Sequence, residues 1–192
     1  MGCGAGPNLL WLAQKGISVS GVDVSPTALN LCRENFENAG LTHKIDELVE
    51  ASVVSTPFED ESFDGICESC VFQHLGKEDR LKTFAEVKRL LKPGGIFAAY
   101  MLDAGHSTYQ LSKGEEDKTE PGTLNLNDGL SNIYLTNIGV AHFYVKEEIE
   151  SLLEGFSVVD PCLVTYFLPR SEAKKRGYEE YRQSMWAVYA VK

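Results

Sequence analysis

The stretch that decides the fold is Gly2-Cys3-Gly4-Ala5-Gly6, a glycine-rich turn followed directly by the apolar segment Leu9-Leu10-Trp11-Leu12-Ala13. Glycines in such a turn let the backbone approach a ligand closely, and the free N–H groups at a helix start attract negative groups. Seventeen residues after Gly6, Asp23 comes at the end of a β-rich run, Ile17 to Val24. An acid at the end of a strand is placed to accept hydrogen bonds from both hydroxyls of a ribose. The turn, the spacing and the acid together predict a nucleoside-binding site.

Short β-rich runs alternate with amphipathic helices along the rest of the chain. Ser25-Pro26 is a helix start, and Gly40 ends that helix. A second helix is predicted over Glu78 to Leu91, and it stops at Pro93-Gly94-Gly95. This alternation predicts an α/β, Rossmann-like fold, with a mainly parallel sheet flanked by helices and an antiparallel carboxyl-terminal edge. The other predicted elements are strands at 48–54, 63–67, 96–102, 156–159, 163–168 and 185–191 and a helix at 146–153.

The length of 192 residues predicts a single domain, 1–192. Residues 103–145 interrupt the strand–helix rhythm with a polar segment that is longer than ordinary connections. We expect this segment to be an insertion that covers part of a binding site.

The charge balance narrows the classes of partner. There are 28 acidic and 18 basic residues, a net charge of −10, which disfavours nucleic acid and anionic membranes. No apolar run approaches the ~20 residues that span a bilayer. The five cysteines form an odd, scattered set that predicts reduced thiols in the cytoplasm. Cys67 and Cys70 have metal-ligand spacing without a second pair, so we expect no metal site.

Four stretches in the first half of the chain resemble class I S-adenosylmethionine (SAM)-dependent methyltransferases of the type-11, small-molecule sort. The last two of the four are not features of dehydrogenases that share the glycine turn, and they make the resemblance specific. It implies SAM as cofactor, a small-molecule methyl acceptor and a cytoplasmic enzyme. The stretches are residues 2–6, Gly21 to Pro26, Pro57 to Asp64 and Leu90 to Gly95, which together span residues 1 to about 102.

The resemblance also implies roles for individual residues. The glycines of the turn would face the methionine and ribose of the cofactor, an acid would hold the ribose, and small residues would surround the adenine. Where family members often have an acid for the adenine amino group, this chain has a serine. The residues carried over in this way are Gly2, Gly4 and Gly6, then Asp23 for the ribose, Val24, Ser52 and Val53 for the adenine, and Glu68 and Cys70 near the methionine end and the acceptor.

The amino terminus departs from the family pattern. Family members begin the sheet with a strand directly before the glycine turn, whereas this sequence starts at Met1, where that strand would be ending. We therefore expect an amino-terminally truncated chain or a misassigned start codon. The sheet of this chain would then have a gap roughly 10 Å wide with unpaired N–H and C=O groups on both sides. Together with Ser52, this departure predicts weak cofactor binding.

Methyl transfer is an in-line displacement at an activated sulfonium, so the protein mainly aligns the nucleophile and excludes water. A base is needed only where the acceptor must lose a proton. For the histidines and the tyrosine, packing or an ordinary surface position is the simpler explanation, whereas the aspartate ends a strand and points at the rim of the acceptor site. The candidate catalytic residues are His74, Asp103, His142 and Tyr144, with His106 beside them in the insertion.

Residues 103–145 and 163–184 are expected to shape the acceptor pocket. Two other functions stay open. A non-catalytic or regulatory nucleoside-binding relative would fit the missing strand and Ser52. An NAD-dependent oxidoreductase would fit the glycine turn and Asp23, but not Pro93-Gly94-Gly95 or the antiparallel edge. The sequence does not identify the acceptor, and a homodimer stays open.

Overall fold

The computed structural model describes residues 1–127, 139–175 and 177–192. Short 3-10 helices lie at Thr42–Lys44 and Phe72–His74. The α-helices are α1 (Pro7–Gln14), α2 (Pro26–Asn38), α3 (Lys77–Leu90), α4 (Ser107–Leu111), α5 (Lys146–Leu152) and α6 (Arg170–Lys175). The strands are β1 (Val19–Asp23), β2 (Ile45–Glu50), β3 (Phe63–Ser69), β4 (Leu91–Leu102), β5 (Thr123–Asn125), β6 (Val140–His142), β7 (Val158–Phe167) and β8 (Arg182–Val191).

The main strands form two groups. Strands β1 and β2 pair in parallel, and a second group has the order β3-β4-β8-β7. Within the second group β3 is parallel to β4, whereas β8 runs antiparallel to both β4 and β7. The predicted α/β architecture and its antiparallel carboxyl-terminal edge are therefore confirmed.

Helices lie on both faces of the strands, and β1 shows how. Val19 packs in an apolar cluster with Leu9 of α1 and Phe36 of α2. Val22, three residues further along the same strand, belongs to the main apolar cluster, which contains Phe84 of α3 and Ile149 of α5. Because residues an odd number apart on a strand face opposite sides, α1 and α2 cover one face and α3 and α5 the other.

A cleft separates β1 from β3. The two strands are not neighbours in a sheet, and a cavity of about 1040 Å³ lies between residues of both. At its carboxyl end the first residues of the chain bridge the two strands: the amino group of Met1 donates to the Cys67 carbonyl (2.7 Å), and the Cys3 N–H donates to the Val22 carbonyl (2.9 Å). The expected gap in the sheet is confirmed, while truncation and weak cofactor binding stay predictions.

Several predicted boundaries were wrong, including that of β8, which begins at Arg182 and not at residue 185. The two strands expected at 156–159 and 163–168 are one strand, β7, which contains Pro161. Because β7 is an edge strand, the missing N–H of a proline is tolerated there. Strand β4 begins at Leu91, and a register shift opposite Phe63 and Gly65 accommodates Pro93-Gly94-Gly95. Strand β2 begins and ends earlier than the predicted 48–54.

The described parts of the insertion, 103–127 and 139–145, are folded around an apolar cluster that includes Tyr109, Leu124 and Phe143. Helix α4 and the antiparallel pair β5–β6 lie in this segment. Arg80 of α3 forms an ion pair with Glu120, which ties the segment to the helix after β3. Residues 128–138 of the expected insertion lie outside the described residues. Among the described helices, none combines the length and apolar character needed to cross a membrane.

Candidate cofactor and acceptor site

The carboxylate of Asp23 lies between the glycine-rich turn and the start of α2. Its Oδ2 accepts a hydrogen bond from the Gly4 N–H (2.8 Å), and its Oδ1 accepts one from the Ser25 N–H (2.9 Å). Ser25 caps α2, because its side chain accepts from the Ala28 N–H (3.2 Å). Each carboxylate oxygen has a further lone pair, so Asp23 is able to accept hydroxyl hydrogens as well as hold the turn.

The three glycines of the turn differ in their surroundings. At Gly4, with φ of +54°, a Cβ would meet no atom within 4 Å, so the backbone there borders open space. At Gly6 a Cβ would lie 2.3 Å from Cys32 Sγ, and at Gly2 it would lie 2.5 Å from a methyl group of Val71. Gly4 therefore leaves a cradle that a cofactor fits, while Gly2 and Gly6 let neighbouring elements approach. Contact of all three with the cofactor stays a prediction.

The residues expected around the adenine come from the ends of β1 and β2. Val24 is 69% exposed, an apolar side chain left uncovered beside Asp23. Ser52 is exposed, and its Oγ accepts from the Val54 N–H (3.3 Å). Val53 is buried in the main apolar cluster. Val24 and Ser52 are thus exposed while Val53 lies in the core, and contact of these three residues with the adenine stays a prediction.

Glu68 is a buried carboxyl group that ties the end of β3 to β4. Its Oε2 accepts from the N–H groups of Val71 (3.0 Å) and Phe72 (3.4 Å), and its Oε1 accepts from the Tyr100 N–H (3.1 Å). Burial raises the pKa of Glu68 to about 7, although these hydrogen bonds act in the opposite direction. Cys70 follows with a left-handed φ of +59°, which is unusual for a residue other than glycine. The role expected for these two residues beside the methionine end stays a prediction.

A second pocket, of about 270 Å³, opens at the carboxyl ends of β3 and β4. Its wall includes His106 from the insertion and Tyr166 and Gln183 from the segment 163–184. These are the two regions that were expected to shape the acceptor site. Cys70 is shared between this pocket and the predicted cofactor site. The wall is formed by Cys70, Gln73, His74, Tyr100, Leu102, His106, Tyr166, Gln183 and Met185.

The structure brings His74 and His106 into the pocket wall, but not the other catalytic candidates. Asp103 is buried, and its Oδ2 accepts from Ser184 Oγ (2.6 Å). His142 is buried between Thr123 and Glu148, and Tyr144 is in edge contact with its ring. Asp103, His142 and Tyr144 are not among the residues of the pocket wall. Catalytic roles for them stay predictions.

The sequence placed Tyr166 and Gln183 in the segment 163–184, which was expected to shape the pocket, without naming either residue, and it did not indicate Gln73, Leu102 or Met185 as wall residues. Tyr166 and Gln183 face each other across the β7–β8 pair. That register is a long-range property, and no local motif indicates it. Across 1–127, 139–175 and 177–192, no group of three or more His, Cys, Asp or Glu side chains has an arrangement that would hold a metal ion.

Comparison with known proteins agrees with this geometry. The methyltransferase domain family matches residues 1–99. The chain belongs to this family. A sterol 4-C-methyltransferase of Caenorhabditis elegans is 33% identical over 102 residues, which are 53% of this chain and 30% of that protein. A fatty-acid O-methyltransferase of Mycolicibacterium smegmatis is 27% identical over 96% of this chain and 62% of its own length. The chain thus spans less than two thirds of the length of these curated relatives.

Solved structures share the fold. A SAM-dependent methyltransferase from Methanosarcina mazei aligns with a TM-score of 0.77 at 24% identity, covering 100% of this chain and 89% of its own. A Burkholderia thailandensis N-methyltransferase, solved with S-adenosylhomocysteine, aligns with a TM-score of 0.62 at 16% identity and covers 100% of this chain and 68% of its own. The SAM-dependent methyltransferase fold is therefore shown for this chain.

Proposed function

We propose that the protein transfers the methyl group of SAM to a small-molecule acceptor. The observation that carries this proposal is the carboxylate of Asp23, which is held by Gly4 and Ser25 beside open space at the carboxyl end of β1. Asp23 would hold the ribose, Val24 and Ser52 the adenine, and the Gly4 backbone the methionine part. When bound, SAM supplies an activated methyl group. Relatives named for sterol and fatty-acid methylation support a small-molecule acceptor.

The pocket beyond Cys70 would hold the acceptor. His74 Nδ1 lies 2.8 Å from the Val140 carbonyl oxygen. A carbonyl only accepts, so Nδ1 donates and the lone pair of the neutral ring lies on Nε2. Where the acceptor must lose a proton, Nε2 of His74 is the pocket atom suited to accept it, once the acceptor has displaced the Gln73 side-chain amide, which lies 3.5 Å from this nitrogen. The wall otherwise orients the acceptor and keeps water from the reacting atoms.

The test is titration with S-adenosylhomocysteine, followed by ligand-observed NMR because we expect weak binding. The variant D23A should weaken binding by about ten-fold or more, as expected for the loss of hydrogen bonds to a charged group. The matched control is D46A, which removes an exposed carboxylate at the other end of the adjacent strand. Equal affinity of D23A and the wild-type protein would contradict the proposal.

A second candidate is a protein of this fold that performs no methyl transfer. A structural neighbour with a TM-score of 0.67, covering 100% of this chain and 73% of its own, is a [4+2]-cyclase, SpnF. Incubation with methyl-labelled SAM and small-molecule extracts separates the two, because only a methyltransferase moves label to a product. A larger thermal stabilisation by NAD than by SAM would instead favour the oxidoreductase.

The cellular setting belongs to the same proposal. The five cysteines are free, which supports the cytoplasm, and the charge of −10 supports a small molecule over nucleic acid or a membrane as partner. A homodimer is a further proposal that light scattering tests.

A further inference from the structure

We infer that the pocket takes an uncharged acceptor, held by a hydrogen bond from Nε2 of His106 to an oxygen or nitrogen lone pair. This inference rests on the proposed function, because it names the class of acceptor for the same site. It assigns to His106 a recognition role and not the role of a base.

The chemistry of the wall carries the first step. Among the residues that the structure describes, nine form the wall, and none of these is an Asp, Glu, Lys or Arg. Tyr100, Tyr166, Leu102 and Met185 give it an aromatic and apolar character. A carboxylate entering such a pocket would lose water without gaining a counter-charge, which is costly. An uncharged molecule loses less, and its flat faces are matched by the aromatic rings.

The hydrogen bonds of His106 fix where its proton lies. The Thr108 N–H donates to His106 Nδ1 (3.1 Å). A backbone N–H only donates, so Nδ1 carries a lone pair and the ring hydrogen is on Nε2. The residue is 2% exposed, and its ring packs against Tyr181 and Phe143 at centroid distances of 5.7 and 5.9 Å. Burial lowers the pKa of His106 to about 4, and Arg182 adds to this effect while Asp103 opposes it. The pocket therefore meets a neutral imidazole with one donor.

The two histidines of the wall have opposite polarity. His74 donates through Nδ1 to Val140, so its Nε2 carries a lone pair in the neutral ring, and the side-chain amide of Gln73, 3.5 Å away, is the donor that a ligand would replace there. A methyl-acceptor molecule that carries a lone pair next to a hydroxyl or N–H group is complementary to both histidines. Its lone pair would accept from His106, and its hydrogen would be donated to His74. A cationic acceptor would instead meet the positive end of the His106 N–H dipole.

The charged groups near His106 do not supply a counter-ion to the pocket. Asp103 and Arg182 lie 3.7 Å apart and compensate each other. On β8, Gln183 and Met185 are in the wall. Because alternate residues of a strand face opposite sides, Arg182 and Ser184 project to the other face of the sheet.

The experiment uses three ligands of one shape and different charge: 2-naphthamide, 2-naphthoate and 2-naphthamidine. Each is titrated into the full chain in the presence of S-adenosylhomocysteine, with binding followed by NMR. We expect 2-naphthamide to bind at least ten-fold more tightly than either charged ligand. Equal or tighter binding of the naphthoate or the amidine would overturn the inference, as would no binding of the amide.

Two variants separate the donor of His106 from its structural role. H106N places an amide oxygen where Nδ1 caps Thr108 but has no group at the position of Nε2, so it should lose amide binding ten-fold or more. Its melting temperature should also fall, because the ring that packs against Tyr181 and Phe143 is removed. H106Q places an N–H near the position of Nε2 and loses the cap, so it should bind the amide within about three-fold of the wild-type protein and melt earlier. H43N, at an exposed histidine, is the control and should change neither quantity.

The outcomes keep the two proposals apart. If S-adenosylhomocysteine itself fails to bind, the proposed function fails. If it binds while H106N retains full amide affinity, only the role of His106 fails. Nitrogen NMR shifts of the His106 ring give a third reading, since a hydrogen on Nδ1 would contradict the assignment.

Discussion

The carboxylate of Asp23 accepts a hydrogen bond from the backbone N–H of Gly4, with 2.8 Å between the oxygen and the nitrogen. Nineteen residues separate the two in sequence. This hydrogen bond joins the glycine-rich turn to the carboxyl end of β1, so the conformation of the turn depends on the position of the Asp23 side chain. Effects of substitution in the turn therefore divide into effects on ligand binding and effects on packing.

The substitution G4A should weaken cofactor binding more than it weakens the fold. A methyl group at this position projects into the open space beside Asp23, where the cofactor is proposed to lie. We expect S-adenosylhomocysteine affinity to fall about ten-fold or more, which corresponds to ~1.4 kcal/mol. Ligand-observed NMR titration measures this change.

Gly16 provides the control for G4A. It also has a positive φ, and a Cβ added there would meet nothing within 4 Å, so G16A introduces the same backbone strain, about 1 kcal/mol. The two variants should lose similar stability in urea, while only G4A loses affinity. A parallel loss of affinity in G16A would show that strain alone explains the effect.

At Gly6 the effect should be on packing. Its Cβ would overlap Cys32 Sγ on α2, so we expect G6A to destabilise the protein by about 2–4 kcal/mol through overpacking and strain. Removing the sulfur in C32A should relieve the overlap. In urea unfolding, G6A should therefore cost at least about 1 kcal/mol less in the C32A background than alone. Additive costs would mean that Cys32 is not what makes a glycine necessary here.

The parts of the site that could be predicted from sequence are those fixed by local chain geometry. Asp23 and the glycine turn lie within one turn–helix–strand unit, and the carboxylate of Asp23 accepts from Gly4 and Ser25 in that unit and the loop that follows it. The pocket depends instead on Tyr166 and Gln183, which meet through the register of β7 with β8. Pro161 hid the continuity of β7, because a proline normally interrupts a strand and is tolerated here only at the sheet edge.

Glu86 on α3 should make the free energy of unfolding fall at acidic pH. Its carboxylate accepts from the Thr56 N–H (2.8 Å) and hydroxyl (2.7 Å) and from Arg89. Burial alone raises the pKa of Glu86, but the hydrogen bonds from Arg89 and Thr56 outweigh it and lower the pKa below 4.5. The stabilisation is therefore present above pH ~4.5 and is lost as pH falls through the lowered pKa.

The variant E86Q should lose about 1–3 kcal/mol at pH 7, the cost of weakened charge-assisted hydrogen bonds at a buried site. The difference from the wild-type protein should shrink below pH ~4.5, as measured by urea unfolding across pH. E34Q, at an exposed carboxylate of α2, should show neither effect. A constant difference down to pH 3 would mean that the charge of Glu86 contributes nothing.

Glu68 should produce the opposite dependence on pH. Burial raises its pKa to about 7, and the Met1 amino group and three backbone N–H groups act against this rise. Between pH ~4.5 and ~7 the unfolded chain releases this proton while the folded protein keeps it, so rising pH favours unfolding. The stability that Glu68 provides is thus largest at low pH and declines toward neutrality.

The variant E68Q tests both the sign and the geometry. A glutamine has only one oxygen for three N–H donors, so its amino group must face at least one of Val71, Phe72 and Tyr100, at a cost of about 1–3 kcal/mol. Because it does not titrate, its loss relative to the wild-type protein should be larger at pH 5 than at pH 8. An equal loss at pH 5 and pH 8 would show that Glu68 is already ionised at pH 5 in the folded protein, and that the three N–H groups outweigh burial in setting its charge.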